Sequence, residues 1–419
     1  MQEKPSGYVT VQQRSNRWVL IDAQGRPFVS KGICHATHRG EKEPATGRNP
    51  YREAVEQQYP DPASWAADTA KQLRQLGFNS AGLWCSEELL NERLYHIAIL
   101  PLAREDWQTG TVDDYFCAEF VEHADRIARE TITGKGYASD PGLIGYCTGG
   151  EMRWGPDWRS PRSIVFDYLN FAADRPGKQA VIGFFRELYK DDIRLFNKHW
   201  KQRFTTWREA LAGQSYRKRS QAAKVHENEV LGRIAKRYFR IAAETVRRYD
   251  PNHLLLGVRF LSSLTPRCVV EACGDYVDVV TVNHYQLLLG MEKLGPYLSG
   301  TVRTGSFLEE FHRLTGKPLL VSEFGYRVKE RGTRRRYSPV GFPTFHSDRS
   351  RGKAALRFIR GLAGTPYTVG WHLFQWADQP PQGRFDGQNS RFGLVDVDNR
   401  LHTEYADYIR QANGFPSSV

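Results

Sequence analysis

Lys317-Pro-Leu-Leu-Val-Ser-Glu-Phe-Gly-Tyr326 is the stretch whose reading decides the fold. Residues 318–321 form a short apolar run that delivers one carboxylate, Glu323, at its C-terminal end. Gly325 follows two residues later and lets the backbone turn away. A near-continuous apolar run is the mark of a strand buried on both faces of a parallel sheet. A charged group at the carboxyl end of such a strand is where α/β barrels place their chemistry. Taken alone, the same Glu could instead cap the helix that follows. A second stretch, Gly142-Leu-Ile-Gly-Tyr-Cys-Thr-Gly-Gly-Glu151-Met-Arg-Trp-Gly, has the same form: apolar strand, small residues, then Glu151. Glycoside hydrolysis uses two such carboxylates, one to protonate the leaving oxygen and one to attack the anomeric carbon or activate water.

Working outward, residues 1–27 read as an N-terminal β-hairpin region that covers a barrel, and residues 28–419 as the barrel itself. Phe28-Val-Ser-Lys-Gly-Ile33 enters the first strand, which ends at His35, His38 and Arg39. Two His three apart invite a metal reading, but no acidic partner nearby completes a site. Asp61-Pro-Ala-Ser opens a helix with Trp65, Thr69, Leu73 and Leu76 on one face, closed by Gly77. Further strands are expected at residues 78–84, 96–102, 143–148, 253–260, 278–285, 318–321 and 368–376, with helices between most of them. Residues 160–222 read as a helical insertion after the fourth strand, built of three short helices that could wall one end of a cleft. The helix of residues 227–249 places Leu231, Ile234, Tyr238, Ile241 and Thr245 on one face. The fold class is therefore α/β, a single (β/α)8 barrel.

With these elements in place, the chain resembles the clan A glycoside hydrolases, the retaining (β/α)8 barrels. The likeness is greatest to their β-agarase-like and β-galactosidase-like members, and it runs from about Trp18 to the C-terminus. The resemblance implies a retaining β-glycosidase acting on an oligo- or polysaccharide, with no cofactor and no metal. It gives the nucleophile's role to Glu323, after the seventh strand, and the acid/base role to Glu151, after the fourth. Tyr285 matches the sixth-strand Tyr that hydrogen-bonds the nucleophile, and Trp376 the eighth-strand Trp that floors the subsite of the attacked sugar. His35, Arg39, Trp84, Trp154, Arg259, Asn283, His284 and Asp378 complete the expected substrate-binding set. Trp154 and Trp158 are read either as sugar platforms or as packing for the insertion. One departure stands out: the family places Asn directly before the acid/base, and here the residue is Gly150. The 2-hydroxyl contact is then lost or supplied elsewhere, and the space would suit a bulky or charged substituent. A carbohydrate-binding pseudoenzyme on the same barrel is the alternative that Gly150 raises.

Composition sets outer limits. The 419 residues are 40% hydrophobic and 25% charged, as in ordinary globular proteins. No apolar run approaches the ~20 residues of a membrane span. The first residues carry no apolar signal core, so the expected compartment is the cytoplasm, or a secreted or periplasmic one if a leader has been removed. Six scattered cysteines without a Cys-x-x-Cys pair suggest no zinc site and fit reduced thiols. The net charge of +12 favours an anionic partner. Nucleic acid would use that charge, but no zinc finger, RNP-like strand or helix-turn-helix pattern is present. The loop after the seventh strand carries Arg327, Lys329, Arg331, Arg334, Arg335 and Arg336 against a single Glu330. The run reads either as a solvated charge run or, because it borders the expected cleft and Arg suits sulfate and carboxylate through paired hydrogen bonds, as a contact for a sulfated or uronate-containing galactan.

Overall fold

The structure, a computed structural model, describes residues 7–285, 304–328 and 344–415. Thr10–Arg14 (β1), Arg17–Ile21 (β2) and Pro27–Phe28 (β3) form a three-stranded antiparallel sheet. The main sheet begins with Ser30–Ile33 (β4), Ser80–Ala81 (β5), Tyr95–Ile99 (β6) and Leu143–Cys147 (β7). It continues through Leu254–Leu255 (β8), Phe260–Leu261 (β9), Val280–Asn283 (β10) and Leu319–Phe324 (β11). After a small pair, Arg327–Val328 (β12) and Thr344–Phe345 (β13), it ends with Thr368–Leu373 (β14). These nine strands are parallel, in the order β8-β7-β6-β5-β4-β14-β11-β10-β9.

The two ends of that order, β8 and β9, are pieces of one stretch interrupted at Gly257, whose φ of +77° is left-handed. Between them, Leu256 N–H donates to Tyr146 O (2.8 Å) and Leu256 O accepts from Thr281 N–H (3.0 Å), so the stretch reaches both β7 and β10. The sheet is strongly curled. β7 and β8 approach so closely that a Cβ on Gly145 would lie 2.1 Å from Leu254 O.

The inward and outward side chains of the strands split the core in two. Ile97, Ile144, Leu254, Leu320 and Val369 face the concave side and pack with Val9 and Leu20 of the small antiparallel sheet. Leu143, Tyr146, Leu319, Val321 and Trp371 face outward into the layer of helices. Pro62–Gln75 begins at Asp61, whose side chain accepts from Ser64 N–H, and buries Trp65, Thr69 and Leu73. Lys224–Tyr249 buries all five residues expected on its inner face. Among the described residues, no helix is long and apolar enough to cross a membrane.

Some expectations shift. The strand expected at residues 78–84 narrows to β5, and the one expected to reach Trp376 stops at Leu373. Both shorten where the backbone bends away from the sheet to form loops: Trp84 has φ +66°, and Trp376 N–H bonds to Cys34 O instead of continuing the ladder. Between β7 and the long helix there are four helices rather than three: Ile164–Asn170, Pro176–Leu188, Ile193–Trp200 and Trp207–Ala212. The extra one, Ile164–Asn170, is buried nearly all round, so it lacks the polar face that reveals helical period.

Candidate active site

Glu323 reaches the concave side through an irregularity in β11. Strict alternation would send Ser322 inward and Glu323 outward. The register instead skips between Val321 and Glu323 against β10, and between Val321 and Phe324 against β14. One extra residue is accommodated there, as in a β-bulge. Phe324 returns to the outer layer, Ser322 Oγ donates to Asn283 Oδ1 (2.8 Å), and Glu323 lines the cavity above the sheet. Its two oxygens have separate partners: Oε1 pairs with the Arg259 guanidinium, and Oε2 accepts from Tyr285 OH at 2.7 Å. Burial pushes the Glu323 carboxyl above its ordinary value, while Arg259 and Tyr285 pull it back toward ionisation.

Glu151 follows β7 after the Thr148-Gly-Gly turn. Asn283 Nδ2 donates to its Oε1 and Trp107 Nε1 to its Oε2, each at 2.7 Å. Its backbone is left-handed, with φ +53°, and its N–H bonds to Val258 O at 3.2 Å. Three other non-glycine residues on the same rim are also left-handed: His35 (φ +55°), Trp84 (+66°) and Arg259 (+53°). Each such residue costs on the order of 1 kcal/mol and persists only where its surroundings over-determine it. Their concentration around one cavity marks a site built for geometry rather than for backbone comfort.

The cavity holds about 560 Å³ and is lined by His35, Trp84, Gly150, Glu151, Arg259, Tyr285 and Glu323, among others. Trp84 is 48% exposed and sits under the Arg259 guanidinium, 5.9 Å from its ring centre. His35 is held neutral, chiefly by burial and then by Arg384 and Arg259. Asn283 reaches the site through Glu151.

Other expected residues lie elsewhere. Trp154 is 2% exposed and packs on Tyr115, Tyr238 and Phe239 in the helix layer. Trp376 is fully buried, its indole donating to Tyr51 OH (2.8 Å), and Phe374, directly after β14, is the nearby aromatic that lines the cavity. His284 points outward, with Nδ1 at 3.0 Å from Ser262 Oγ and its ring stacked on Phe358. Asp378 holds Gly393 N–H (2.6 Å) and His402 (3.0 Å), and Arg39 is exposed on a loop outside the cavity. Of the basic loop, residues 329–343 lie outside the described residues; Arg327 donates to Thr344 Oγ1 and Ser390 Oγ.

The room expected at Gly150 is occupied. A Cβ there would lie 3.1 Å from Arg259 Nη1 and 3.3 Å from Ile99 Cδ1. The glycine therefore leaves room for the arginine that pairs with Glu323, and it also lines the cavity. Sequence reasoning also passed over Glu105, Trp107, Arg384 and Phe385, which line the same cavity. All four lie in segments that leave the carboxyl ends of β6 and β14, a position that would have flagged them. Among the described residues, no group of three or more His, Cys, Asp or Glu is arranged to hold a metal ion.

No family model matches the chain. β-Agarase B of Vibrio sp. (strain JT0107) is 25% identical over 371 residues, covering 85% of this chain and 36% of the relative. The chain is similar to β-agarases. β-Agarase A of the same strain is 24% identical over 375 residues, covering 83% of this chain and 36% of its own length. The chain thus spans about a third of the length of the curated relatives it matches. A solved agarase structure superposes with a TM-score of 0.79 at 21% identity, covering 99% of this chain and 65% of that one. That likeness carries the fold: a curled parallel α/β sheet.

Proposed function

We propose that the protein is a glycoside hydrolase that cleaves β-linked galactan by double displacement, on a closed (β/α)8 barrel whose fifth strand is broken into β8 and β9. The observation that carries this reading is the pair of carboxylates on one rim, each with its own set of donors. Glu323, ionised against Arg259 and aligned by Tyr285, is the nucleophile that attacks the anomeric carbon. Glu151 is the acid that protonates the leaving oxygen and then the base that activates water for the second step. Exposed Trp84 and Phe385 offer aromatic faces to sugar rings. The barrel is preceded by the region 1–27 and carries the helical insertion 160–222, which stands beside the acid/base loop. The substrate class is supported by the likeness to β-agarases.

The described cleft favours a neutral galactan. Each arginine that lines it already faces a carboxylate: Arg153 with Asp167, Arg159 with Asp157, Arg259 with Glu323, and Arg384 with Glu41 and Asp386. None carries surplus charge for a sulfate or uronate, so an anionic substrate would depend on the basic run at residues 329–336. Agarose and a sulfated galactan, compared for new reducing ends at low and high salt, test the substrate. Release of agarose products with β configuration retained in the first-formed anomer supports double displacement; inversion overturns it. Binding of galactan without cleavage would return the protein to the pseudoenzyme reading.

A further inference from the structure

We propose that Arg159 is a positioning residue for the acid/base: its guanidinium clips the backbone of Glu151 to the turn that carries Trp107, and so aims the Glu151 carboxyl at the leaving oxygen. The proposal rests on the acid/base reading of Glu151. The segment that delivers this residue is poorly fixed by its own sequence, because Gly149 and Gly150 precede it and glycine restricts the backbone least. Glu151 itself is left-handed, with φ +53°, a conformation that persists only where the surroundings over-determine it. Its N–H reaches Val258 O at 3.2 Å. Its carbonyl, whose direction follows ψ, accepts from Arg159 Nη2 at 3.0 Å. A different nitrogen of the same guanidinium, Nη1, donates to Trp107 O at 3.2 Å. The indole of Trp107 then donates back to Glu151 Oε2 at 2.7 Å. Backbone, clip and carboxylate thus close into one ring of contacts.

The clip is itself held firmly. The Arg159 side chain is 2% exposed and that of Asp157 4%, and Asp157 Oδ2 takes both Nε (2.9 Å) and Nη2 (2.6 Å) of the guanidinium. Asp157 Oδ1 accepts from the Arg159 backbone N–H at 2.7 Å, which ties the pair to its own turn. A second buried arginine from the same loop, Arg153, works alike: Nε donates to Gly110 O (2.7 Å), and Asp167 meets its charge at 2.7 Å. The turn that carries Trp107 sits directly on both side chains. A Cβ on Gly110 (φ +68°) would lie 2.9 Å from Arg153 Cδ and 2.9 Å from Arg159 Cβ. Each arginine has a carboxylate to balance its charge and turns its other N–H groups to carbonyls, so what Arg159 gives Glu151 is direction rather than charge. The clip requires two donors on separate nitrogens of one rigid plane, which arginine has and lysine lacks.

Aryl β-glycosides of one galactan oligosaccharide separate aim from mere support, because the sugar stays constant and only the phenol changes. Dinitrophenol departs without protonation, whereas plain phenol needs the acid. Arg159→Lys keeps a charge opposite Asp157 but offers one nitrogen to two carbonyls. Its kcat/KM should stay near wild type on the dinitrophenyl glycoside and fall about a hundredfold on the phenyl glycoside, the size expected for a misplaced general acid. The double variant Asp157→Asn/Arg159→Gln removes both charges together, leaves neither buried and unpaired, and should show the same selectivity should the lysine variant fold poorly. Glu151→Gln, which has no acid to aim, should be at least as selective. Wild-type kcat/KM on both glycosides in the Arg159 variants, or an equal loss on both, overturns the clip while a selective Glu151→Gln leaves the acid/base reading standing. An equal loss on both glycosides in Glu151→Gln overturns the acid/base reading, and the clip with it.

Discussion

At the carboxyl end of the parallel sheet, His35, Trp84, Glu151 and Arg259 hold left-handed backbone, and Trp84 and Phe385 stand exposed. At the amino end, where the chain enters β7 and β8, Asp250 and His253 are fully buried with ordinary backbone. There, Asp250 accepts from Tyr146 OH (2.6 Å), from its own loop's N–H groups at Asn252 and His253, and pairs with His253 Nδ1 (2.7 Å), whose Nε2 lies 2.9 Å from Asp140 O. Every polar atom in that cluster has a partner inside the protein. On the opposite rim, buried polar atoms such as Arg259 Nε and Gln375 Oε1 have no partner within the described residues. The same strands thus carry a closed, satisfied network at one end and an open, strained one at the other. Unsatisfied polar groups and strained backbone are costs that a fold retains where a ligand makes use of them.

The largest effect should come from swapping a charge for an isosteric amide at each end. Glu323→Gln should lower turnover on agarose by a factor on the order of 10⁴ or more, because the covalent step loses its nucleophile. Its melting temperature should hold or rise, since a buried charge whose ionisation burial opposes has been removed. Asp250→Asn should do the reverse: near-normal turnover, and a loss of about 2 kcal/mol from the charge-assisted bonds of a buried carboxylate. Turnover and thermal melts on the two proteins check both. Equal damage to activity and stability in both variants would abolish the distinction between the ends.

Gly150→Asn should have an intermediate effect. The added Cβ meets Arg259 Nη1 at 3.1 Å, so the guanidinium must give by a few tenths of an ångström, against its pairing with Glu323. Overpacking of this kind costs about 1–3 kcal/mol, which at the transition state is roughly a tenfold to hundredfold loss in kcat/KM. The loss should be the same on neutral and sulfated galactans, because the contact is with the protein. A gain on neutral galactan would mean that the asparagine finds the 2-hydroxyl after all, and that Arg259 moves freely.

The stronger rim residues were legible in sequence because strand-end position is a one-dimensional property. Glu151, Glu323, Arg259, Asn283 and Tyr285 each follow an apolar run, and all five meet on one rim in two hydrogen-bonded sets, Asn283 on Glu151 and Arg259 with Tyr285 on Glu323. Trp376 and Trp154 also follow such runs and turn inward to the core, since one residue more or less of loop reverses which way a side chain points. Trp107 is signalled only by its place in the segment that leaves β6, and not by any motif. Its partner Glu151 lies 44 positions away, and only the fold brings the two segments together, through the Arg159 clip and the Arg153 bond to Gly110 O. The bulge that aims Glu323 was likewise invisible, because it is a property of β11 against its neighbours rather than of the ten residues alone.

A further comparison sets side by side two carboxyls that the ends shift in opposite directions. At the amino end, burial works to raise Asp250, but bonds from His253, Tyr146 and backbone N–H groups outweigh it and hold the carboxyl at about 2. At the cleft, burial pushes Glu105 up to about 7, against weaker pulls from Tyr115 and Arg159. The signs then oppose each other. Asp250 contributes stability that is present above its unfolded value near 3.9 and lost as pH falls toward 2. Glu105 is most compatible with the fold below its unfolded value near 4.3, and that stability is lost as pH rises through about 7. Glu105→Gln cannot ionise, so it should melt like the wild type at about pH 4, then gain on it steadily toward pH 7 and hold a constant advantage above. Thermal melts at about pH 4, 6 and 8 read this directly. A difference that is independent of pH would mean that Glu105 stays neutral, or stays ionised, across the range. The contrast with Asp250 would then reflect packing at the two ends and not the way each end treats a charge.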